Sequence, residues 1–418
     1  MHSDGRYGGM RPFGDVLLID EAQRRIHDAT VPVSGVETIA LAASAGRVLA
    51  ADVPAPFDVP GFDRSAMDGY AVRIGDLAGA TDQHPVWLRL AGRSRPGAVP
   101  EAPLASGACL DIATGAPLPA GADAVVMVER TTRDDDRVRF ARQPTAGDHV
   151  SQRAHDVRAA AVVLRAGQVL SPARLGVAAS FGLRVLPVLR RPLVALISSG
   201  DELLDPGAAA IDRPPAVPAP GRIYDANREM LAAICASNGG HVRRLPLVRD
   251  HLDAWHAAFD AAADADLLVC SGGSSVGEQD LGIDVITARG TVLFHGIAVK
   301  PGKPTAFARI HRQLVLAMPG NPTSCLSNAY VLLQPLVRRL AGLPPLRPCT
   351  HEARLASAVR SPVDRLQYYP VRLDGDLALP VFKGSGDVTS LSEADGYIEV
   401  PVGVTELPAG SRVAVTLY

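Results

Sequence analysis

Hydrophobic and polar positions alternate in blocks along this chain, and the blocks are most regular between residues 191 and 342. Apolar runs at 193–197, 267–270 and 314–318 are short and stop at turn residues, which reads as buried strands, and 241–248 supplies a further strand. Between them lie helical stretches: one entered by Asp225 and Asn227 as caps and stopped by Gly239 and Gly240, one around Trp255, and one from near Thr323 to Leu340, which Pro335 should kink. Strand, helix, strand, helix in succession predicts a mainly parallel sheet with helices on both faces. In such sheets ligands bind at the loops outside the carboxyl ends of the strands.

The flanking regions follow other periods. The first dozen residues read as disordered, and Asp20 with Gln23 forms a capping-box-like start to a helix through Ile26. Strand-like runs follow at 37–41 and 47–53, and short β-like runs between 87 and 140 suggest a small inserted all-β module. Ser171, Pro172 and Gly182 bracket a helix with the N-terminal proline and C-terminal glycine that helices favour. From 344 onward the helical signal stops, and VRL, ALPVF, YIEVPV and RVAVTLY read as strands. The expected fold class is multi-domain α/β plus β. A three-layer α/β/α domain with a mainly parallel sheet spans 191–342, an elongated linker domain is formed by 14–50 and 145–190, a β module is inserted at 51–144, and a C-terminal β-barrel-like module covers 343–418.

Length supports several modules, since 418 residues exceed what one hydrophobic core organises. A net charge of −2 gives no broad attraction to nucleic acid, so any anion site must be local. The 5 cysteines are odd in number and widely spaced without CxxC pairs, which suits a reducing compartment and neither a disulfide frame nor a zinc site. No apolar signal core or membrane-length apolar run is present, and the expected location is cytoplasmic, away from membranes.

Candidate chemistry concentrates in three loops. In SGGSSVGEQD, Gly272 and Gly273 allow close backbone approach to a phosphate, and Ser274 and Ser275 add hydroxyl donors; a tight turn without a ligand is the alternative. A P-loop is excluded because Glu278 stands where the lysine after Gly277 should be, and a nucleophile elbow at Ser274 is disfavoured by Val276. Lys300 and Lys303 flank Pro301 and Gly302, with Pro304 closing a stiff turn that could hold a dianion or could simply be solvated. Pro319, Gly320, Asn321 and Pro322 lead into a helix whose N-terminus suits an anion. Glu202, Asp250 and Asp280 fall at predicted strand ends of the same sheet. Asp68 on a glycine turn reads more readily as a turn residue satisfying its own backbone, and Thr114 at a strand end reads equally well as a turn cap.

SGGSSVGEQD, KPGKPTAF and MPGNPTS, in this order and spacing, together with PGFDRSAMDGYA, TGAPLPAGADAVV and SGDVTSLSEADG, resemble the molybdopterin molybdenumtransferase (MoeA-like) family. The resemblance implies an enzyme that inserts molybdate into adenylylated molybdopterin with Mg²⁺-dependent release of AMP, forming molybdenum cofactor. Two anions must then meet, and two unit charges about 4 Å apart repel by about 4 kcal/mol at an effective dielectric of 20, so metal and fixed cations are needed. By the same match Asp68, Thr114, Glu202, Asp250, Asp280 and Lys300 are catalytic, with Glu202 and Asp280 holding Mg²⁺. Gly272, Gly273, Ser274 and Ser275 bind the AMP phosphate, and Lys300, Lys303 and Ser324 hold molybdate, with Pro319, Gly320, Asn321 and Pro322 completing the substrate site. It further implies a homodimer with a shared active site and the upstream adenylyltransferase as a candidate partner. Ala154 and His155 depart from the family's usual Gly and Glu, His295 stands near a frequent lysine, where a surface histidine is the plainer reading, and Val371, with Arg372 adjacent, falls near an expected arginine. The rival readings are a non-catalytic pterin-binding scaffold, against which the intact acids and lysines argue, and a nucleotide phosphohydrolase sharing only the α/β domain, which leaves the outer modules without a reason.

Overall fold

A computed structural model of the chain describes residues 16–208, 216–272 and 280–418. The expected disordered start lies outside the described residues, as do Gly273, Ser274 and Ser275. The first helix, α1 (Ile19–Ala29), corrects the capping-box expectation: Leu18 precedes it with no side-chain cap, and Asp20 and Gln23 lie inside. The apolar stripe Ile19, Ala22 and Ile26 sets the start, because those three must face the core together. Asp20 and Glu21 then complement the helix dipole from within the first turn. The strand expected at 37–41 is Val36–Ala40. The run 47–53 is instead an isolated bridge, Leu49 with Val188, followed by the two-residue strand Val53–Pro54.

The chain divides into two compact units. One comprises 40–45 and 51–186. It holds β1 (Gly69–Val72), β2 (Val86–Ser94), β3 (Ala108–Ile112), β4 (Ala124–Met127), β5 (Thr131–Asp134) and β6 (Arg137–Phe140) in the sheet order β4-β1-β3-β2-β6-β5. Tyr70, Val72, Leu88, Cys109, Val138 and Phe140 form its core. Helix α2 (Pro172–Ser180) begins as its sequence predicts, with the Ser171 hydroxyl accepting from the Arg174 N–H, and Gly182 follows it at a φ of 68°.

The other unit takes the remainder and centres on a six-stranded sheet. Its elements are β7 (Leu193–Ser198), α3 (Asn227–Ser237), β8 (His241–Arg244), α4 (Leu252–Ala261), β9 (Leu267–Ser271), α5 (Leu281–Arg289), β10 (Thr291–His295), β11 (Ala306–Ile310) and β12 (Gln313–Met318). The order is β8-β7-β9-β12-β11-β10. The first four strands are mutually parallel, and the last two run antiparallel to their neighbours. Period-two alternation splits the sheet between two cores. Val194, Leu196, Leu267, Val269, Leu314 and Leu316 meet α1, α3 and the helices after β12, whereas Ala195, Ile197, Leu268, Cys270, Val315 and Ala317 meet Trp255 and Phe259 of α4 and Val285 and Ile286 of α5.

After β12 the chain forms α6 (Pro322–Asn328), a π-helical turn over Ala329–Leu333, and α7 (Gln334–Leu340). The break anticipated at Pro335 therefore shows as a change of helical register just before it. Pro335 has no N–H for the carbonyl of Val331 four residues back, and the Gln23 amide of α1 donates to that carbonyl at 3.2 Å. The C-terminal region is a closed five-stranded barrel of β13 (Thr350–Leu355), β14 (Leu366–Asp374), β15 (Leu377–Pro380), β16 (Gly396–Val400) and β17 (Arg412–Leu417), ordered β14-β15-β13-β17-β16 and closed by β16 pairing β14. Strand β13 escaped the sequence reading because only Ala353 and Leu355 of its six residues are buried.

Trp255 is fully buried, and a Cβ added to Gly282 of α5 would sit 3.0 Å from its ring. Trp255→Ala should destabilise the central domain by about 3–5 kcal/mol, read as a lower urea midpoint by circular dichroism. An unchanged midpoint would show that the α4–α5 layer contributes little.

Candidate active site

Strands β7, β9 and β12 end level with one another: Ser198 stands opposite Ser271, and Ser271 opposite Met318. The loops that leave them touch through their backbones. Ser199 N–H donates to the Ser271 carbonyl at 3.0 Å, and a Cβ on Gly272 would lie 2.3 Å from the Ser199 carbonyl oxygen. Gly272 also has a φ of 89°, so both space and conformation require glycine there. A Cβ on Gly320 would stand 3.5 Å from the Gly272 Cα. Ser199, Gly272 and Gly320 thus form one backbone cluster at the carboxyl edge of the sheet. The sequence reading had singled out the two glycines and missed Ser199, whose only signal is its place directly after an apolar run.

Asp250 braces this cluster. Its two oxygens accept from the Ser199 hydroxyl at 3.0 Å and from the Asp201 N–H at 3.2 Å, so it fixes the loop that carries Glu202. Glu202 is exposed, with its carboxylate against Gly200, and its carbonyl accepts from Ile223 N–H at 2.9 Å. The far end of this loop is anchored by the buried Arg228, which pairs with Asp205 at 2.6 Å and holds that carboxyl below the usual range. Asp225 caps α3 by accepting from Arg228 N–H, whereas Asn227 is the first helical residue and donates its amide to the Gly320 carbonyl at 2.7 Å. Arg228 and Asp205 were not legible as site residues. Asp280 is the N-cap of α5, accepting from Ile283 N–H at 3.1 Å, and its charge adds to the burial that pushes the Cys270 thiol up.

The lysine turn stands on a second support. Val299–Lys300 pairs in parallel with Leu366 and Gln367 of β14, and the Lys303 carbonyl accepts from Ile297 N–H. Lys300 and Lys303 are both half-buried. On α6, Ser324 is buried and Asn328 lies one turn further along the same face. Pro319 is buried, Gly320 and Asn321 are exposed, and Pro322 opens the helix. Asn321 donates to the Ser385 hydroxyl at 3.2 Å and Thr323 N–H to the Ser385 carbonyl at 3.1 Å, so the C-terminal region borders this edge through a residue the sequence reading passed over. His295 is half-buried rather than on the surface, and burial lowers its imidazole pKa. Val371 belongs to the barrel core and Arg372 is exposed.

In the unit 40–45 and 51–186, Asp68 and Thr114 meet directly. The Thr114 N–H donates to Asp68 Oδ1 at 2.7 Å and its hydroxyl to the same oxygen at 3.0 Å. These bonds, the amide first, hold the exposed Asp68 carboxyl below its usual range, and Arg95 adds a smaller attraction. Arg95 itself makes two 3.0 Å bonds to Asp111.

Mg²⁺ takes oxygen ligands, ordinarily one or two carboxylates completed by substrate phosphates and water. Glu202 and Asp280 are donors of that kind. Among the described residues no group of three or more His, Cys, Asp or Glu side chains is placed to hold a metal.

Three family models match in order along the chain. They are the MoeA N-terminal region (domain I and II) over 17–182, a probable molybdopterin binding domain over 195–339, and the MoeA C-terminal region (domain IV) over 352–418. Molybdopterin molybdenumtransferase 2 of Mycobacterium tuberculosis is 38% identical over 95% of this chain and 97% of its own length. The molybdopterin molybdenumtransferase of Haemophilus influenzae is 32% identical over 96% of this chain and 98% of its own. A molybdopterin biosynthesis moea protein from Pyrococcus horikosii superposes with a TM-score of 0.82 at 35% identity, covering 96% of this chain and 99% of that one. With models matched in sequence order over 17–182, 195–339 and 352–418, and with such relatives aligned over nearly their whole length, this chain belongs to the MoeA family of molybdopterin molybdenumtransferases.

Proposed function

We propose that this protein is a molybdopterin molybdenumtransferase, inserting molybdate into adenylylated molybdopterin with release of AMP. The observation that carries the reading is the backbone cluster of Ser199, Gly272 and Gly320 at the strand ends, in the same unit as the braced turn of Lys300 and Lys303. The nucleotide phosphate lies at Gly272, Gly273, Ser274 and Ser275, where backbone N–H groups can approach it closely. Lys300, Lys303 and Ser324 take molybdate, with Pro319, Gly320, Asn321 and Pro322 shaping the edge between the two. Glu202 and Asp280 hold Mg²⁺, which when bound offsets the repulsion between pyrophosphate and oxyanion. Asp250 keeps Glu202 in place through the Ser199 and Asp201 bonds. Asp68, held ionised by Thr114, acts in the same reaction.

The finer architecture belongs to this proposal. The central domain is a three-layer α/β/α sandwich over 191–342, with 14–50 and 145–190 as linker domain, 51–144 as inserted module and 343–418 as barrel module. The protein works in the cytoplasm as a homodimer, receives its substrate from the upstream adenylyltransferase, and shares each active site between subunits. The family resemblance is what supports the sharing, and a two-fold dimer would create two equivalent sites. A phosphohydrolase built on the α/β domain alone would not account for the matches at 17–182 and 352–418.

Wild-type protein given adenylylated molybdopterin, molybdate and Mg²⁺ should release AMP and form cofactor. Asp280→Asn should lose at least about two orders of magnitude of AMP release while folding normally, because asparagine caps helices as well as aspartate does. Normal turnover of that variant at limiting Mg²⁺ would remove Asp280 from the metal site.

Because Asp68 is held low, activity that needs its carboxylate is present at neutral pH and is lost only as pH falls through the depressed pKa. Thr114→Val removes one of the two bonds, raises that pKa, and should move the acid limb of the rate profile to higher pH. An unmoved limb would show that the hydroxyl does not tune Asp68.

Mixing Asp68→Ala subunits with Asp280→Ala subunits, each inactive alone, should restore activity once they exchange, since one pocket of each heterodimer is then intact. Demonstrated exchange without recovered activity would mean that each pocket is built within a single chain.

A further inference from the structure

The turn bearing Lys300 and Lys303 rests on a buried polar clamp between its own Thr305 and Asn328 of α6. The Asn328 side-chain amide, at the end of α6, donates to the Gly302 carbonyl at 2.8 Å and to the Thr305 hydroxyl at 2.7 Å. The Thr305 hydroxyl in turn donates to the same Gly302 carbonyl at 2.9 Å. Both side chains have no exposed surface at all. Gly302 lies at a φ of 109°, and a Cβ there would fall 2.3 Å from the Asn328 amide nitrogen, so turn and clamp fit only with glycine between them.

The orientation of the Asn328 amide is determined by chemistry. A carbonyl oxygen can only accept, so the atom bonded to the Gly302 carbonyl must be the amide nitrogen, and Oδ1 takes no part in that bond. That oxygen is buried and finds no donor among the described residues. A buried acceptor without a partner is unfavourable, and a leucine of similar size would avoid it. What the amide contributes in exchange is the pair of bonds to the turn.

We infer that Asn328 and Thr305 are positioning residues for oxyanion capture: they lock the Lys300–Lys303 turn from beneath, while the backbone pairing of Val299–Lys300 with Leu366 and Gln367 locks it from the side. This rests on the proposal that the two lysines take molybdate. Ammonium groups on four-carbon stems lose affinity for a small dianion when their backbone is free to wander, because each must be immobilised on binding. The clamp removes that entropy beforehand. It also ties the turn to α6, where Ser324 stands one turn before Asn328, so lysines and hydroxyl are held in one frame.

The test is direct titration with molybdate and with tungstate, alongside titration with AMP, on wild type, Asn328→Ala, Thr305→Val and Thr305→Ser. Thr305→Ser keeps the hydroxyl and should bind oxyanion as wild type does. Asn328→Ala and Thr305→Val should each weaken oxyanion binding by about tenfold or more, leave AMP affinity within about twofold, and be non-additive when combined. Parallel loss of AMP and oxyanion binding, or a lowered unfolding midpoint with oxyanion affinity intact, would reduce the clamp to ordinary packing. If Asn328→Ala does not fold, the Thr305→Val and Thr305→Ser pair decides the question alone. Wild-type protein that binds neither oxyanion would overturn the assignment of the lysines and the clamp's role with it; wild-type binding with unaffected variants would overturn the clamp only.

Discussion

The constraint on which the rest of the site depends is a backbone approach that leaves room for hydrogen and nothing larger. Parallel strands deliver their loops to the same edge of a sheet, but they deliver them about 4.8 Å apart, and loops with side chains at their first positions would splay. At Gly272 a Cβ would overlap the Ser199 carbonyl, and Gly320 lies against Gly272 from the other side. The three strand ends can therefore close into one cluster. Once they do, Asp250 need only reach across to Ser199 and Asp201, and Asn227 to the Gly320 carbonyl, for the loops to be tied to helices on either side. The acids and lysines hang on a frame made of main chain.

A second frame joins the sheet to the barrel. The lysine turn leaves the central sheet after β10 and returns at β11, yet its strand-like start pairs with β14 of the barrel, and its middle is fastened to α6. The loop that opens α6 is fastened in turn to Ser385. Barrel, turn and helix thus brace one another, which gives the C-terminal module a physical role at this edge through its own hydrogen bonds. Pro335 fits the same economy of donors and acceptors: the carbonyl it leaves open is filled by Gln23 from α1, which ties the first helix to the helical run after β12.

Much of this was legible in the sequence, for identifiable reasons. The central strands are apolar on both faces, so they appear as unbroken runs, and the glycines that end them have a single dominant physical use. Helix α2 carried both of its end signals. Reading failed where the determining partner is remote. Nothing local tells that Ile19 rather than Asp20 opens α1, since the choice is made by the core that Ile19, Ala22 and Ile26 must reach. Strand β13 shows alternation at only two buried positions, too few to stand out from a loop. Arg228, Asp205 and Asn328 look like ordinary polar residues of helices and loops, and their roles exist only once chain segments far apart in sequence meet. Val371 was uncertain in register because neighbouring strand residues face opposite ways; packing places Val371 in the barrel core and leaves Arg372 outside.

The departures at Ala154 and His155 separate backbone from side chain. Ala154 has a φ of 62°, the left-handed conformation that glycine adopts freely and that costs an L-residue about 1–2 kcal/mol. The turn is nevertheless held from several directions: Ala154 N–H donates to the Pro60 carbonyl at 3.0 Å, Arg153 N–H to Asp63 at 2.7 Å, and the Arg153 side chain to Asp58 at 2.6 Å. Such over-determination is what allows a disfavoured conformation to persist. The same Pro60 and Asp63 belong to the segment that runs on to Asp68, so the glycine-like turn is kept where it supports that segment, even without the glycine. Position 155 is different. A histidine cannot supply the carboxylate that the family usually carries there, and its N–H serves only the local turn by donating to the Gln152 carbonyl at 3.1 Å. The main-chain path through this loop is thus fixed by its neighbours, whereas position 155 offers an imidazole and no carboxylate.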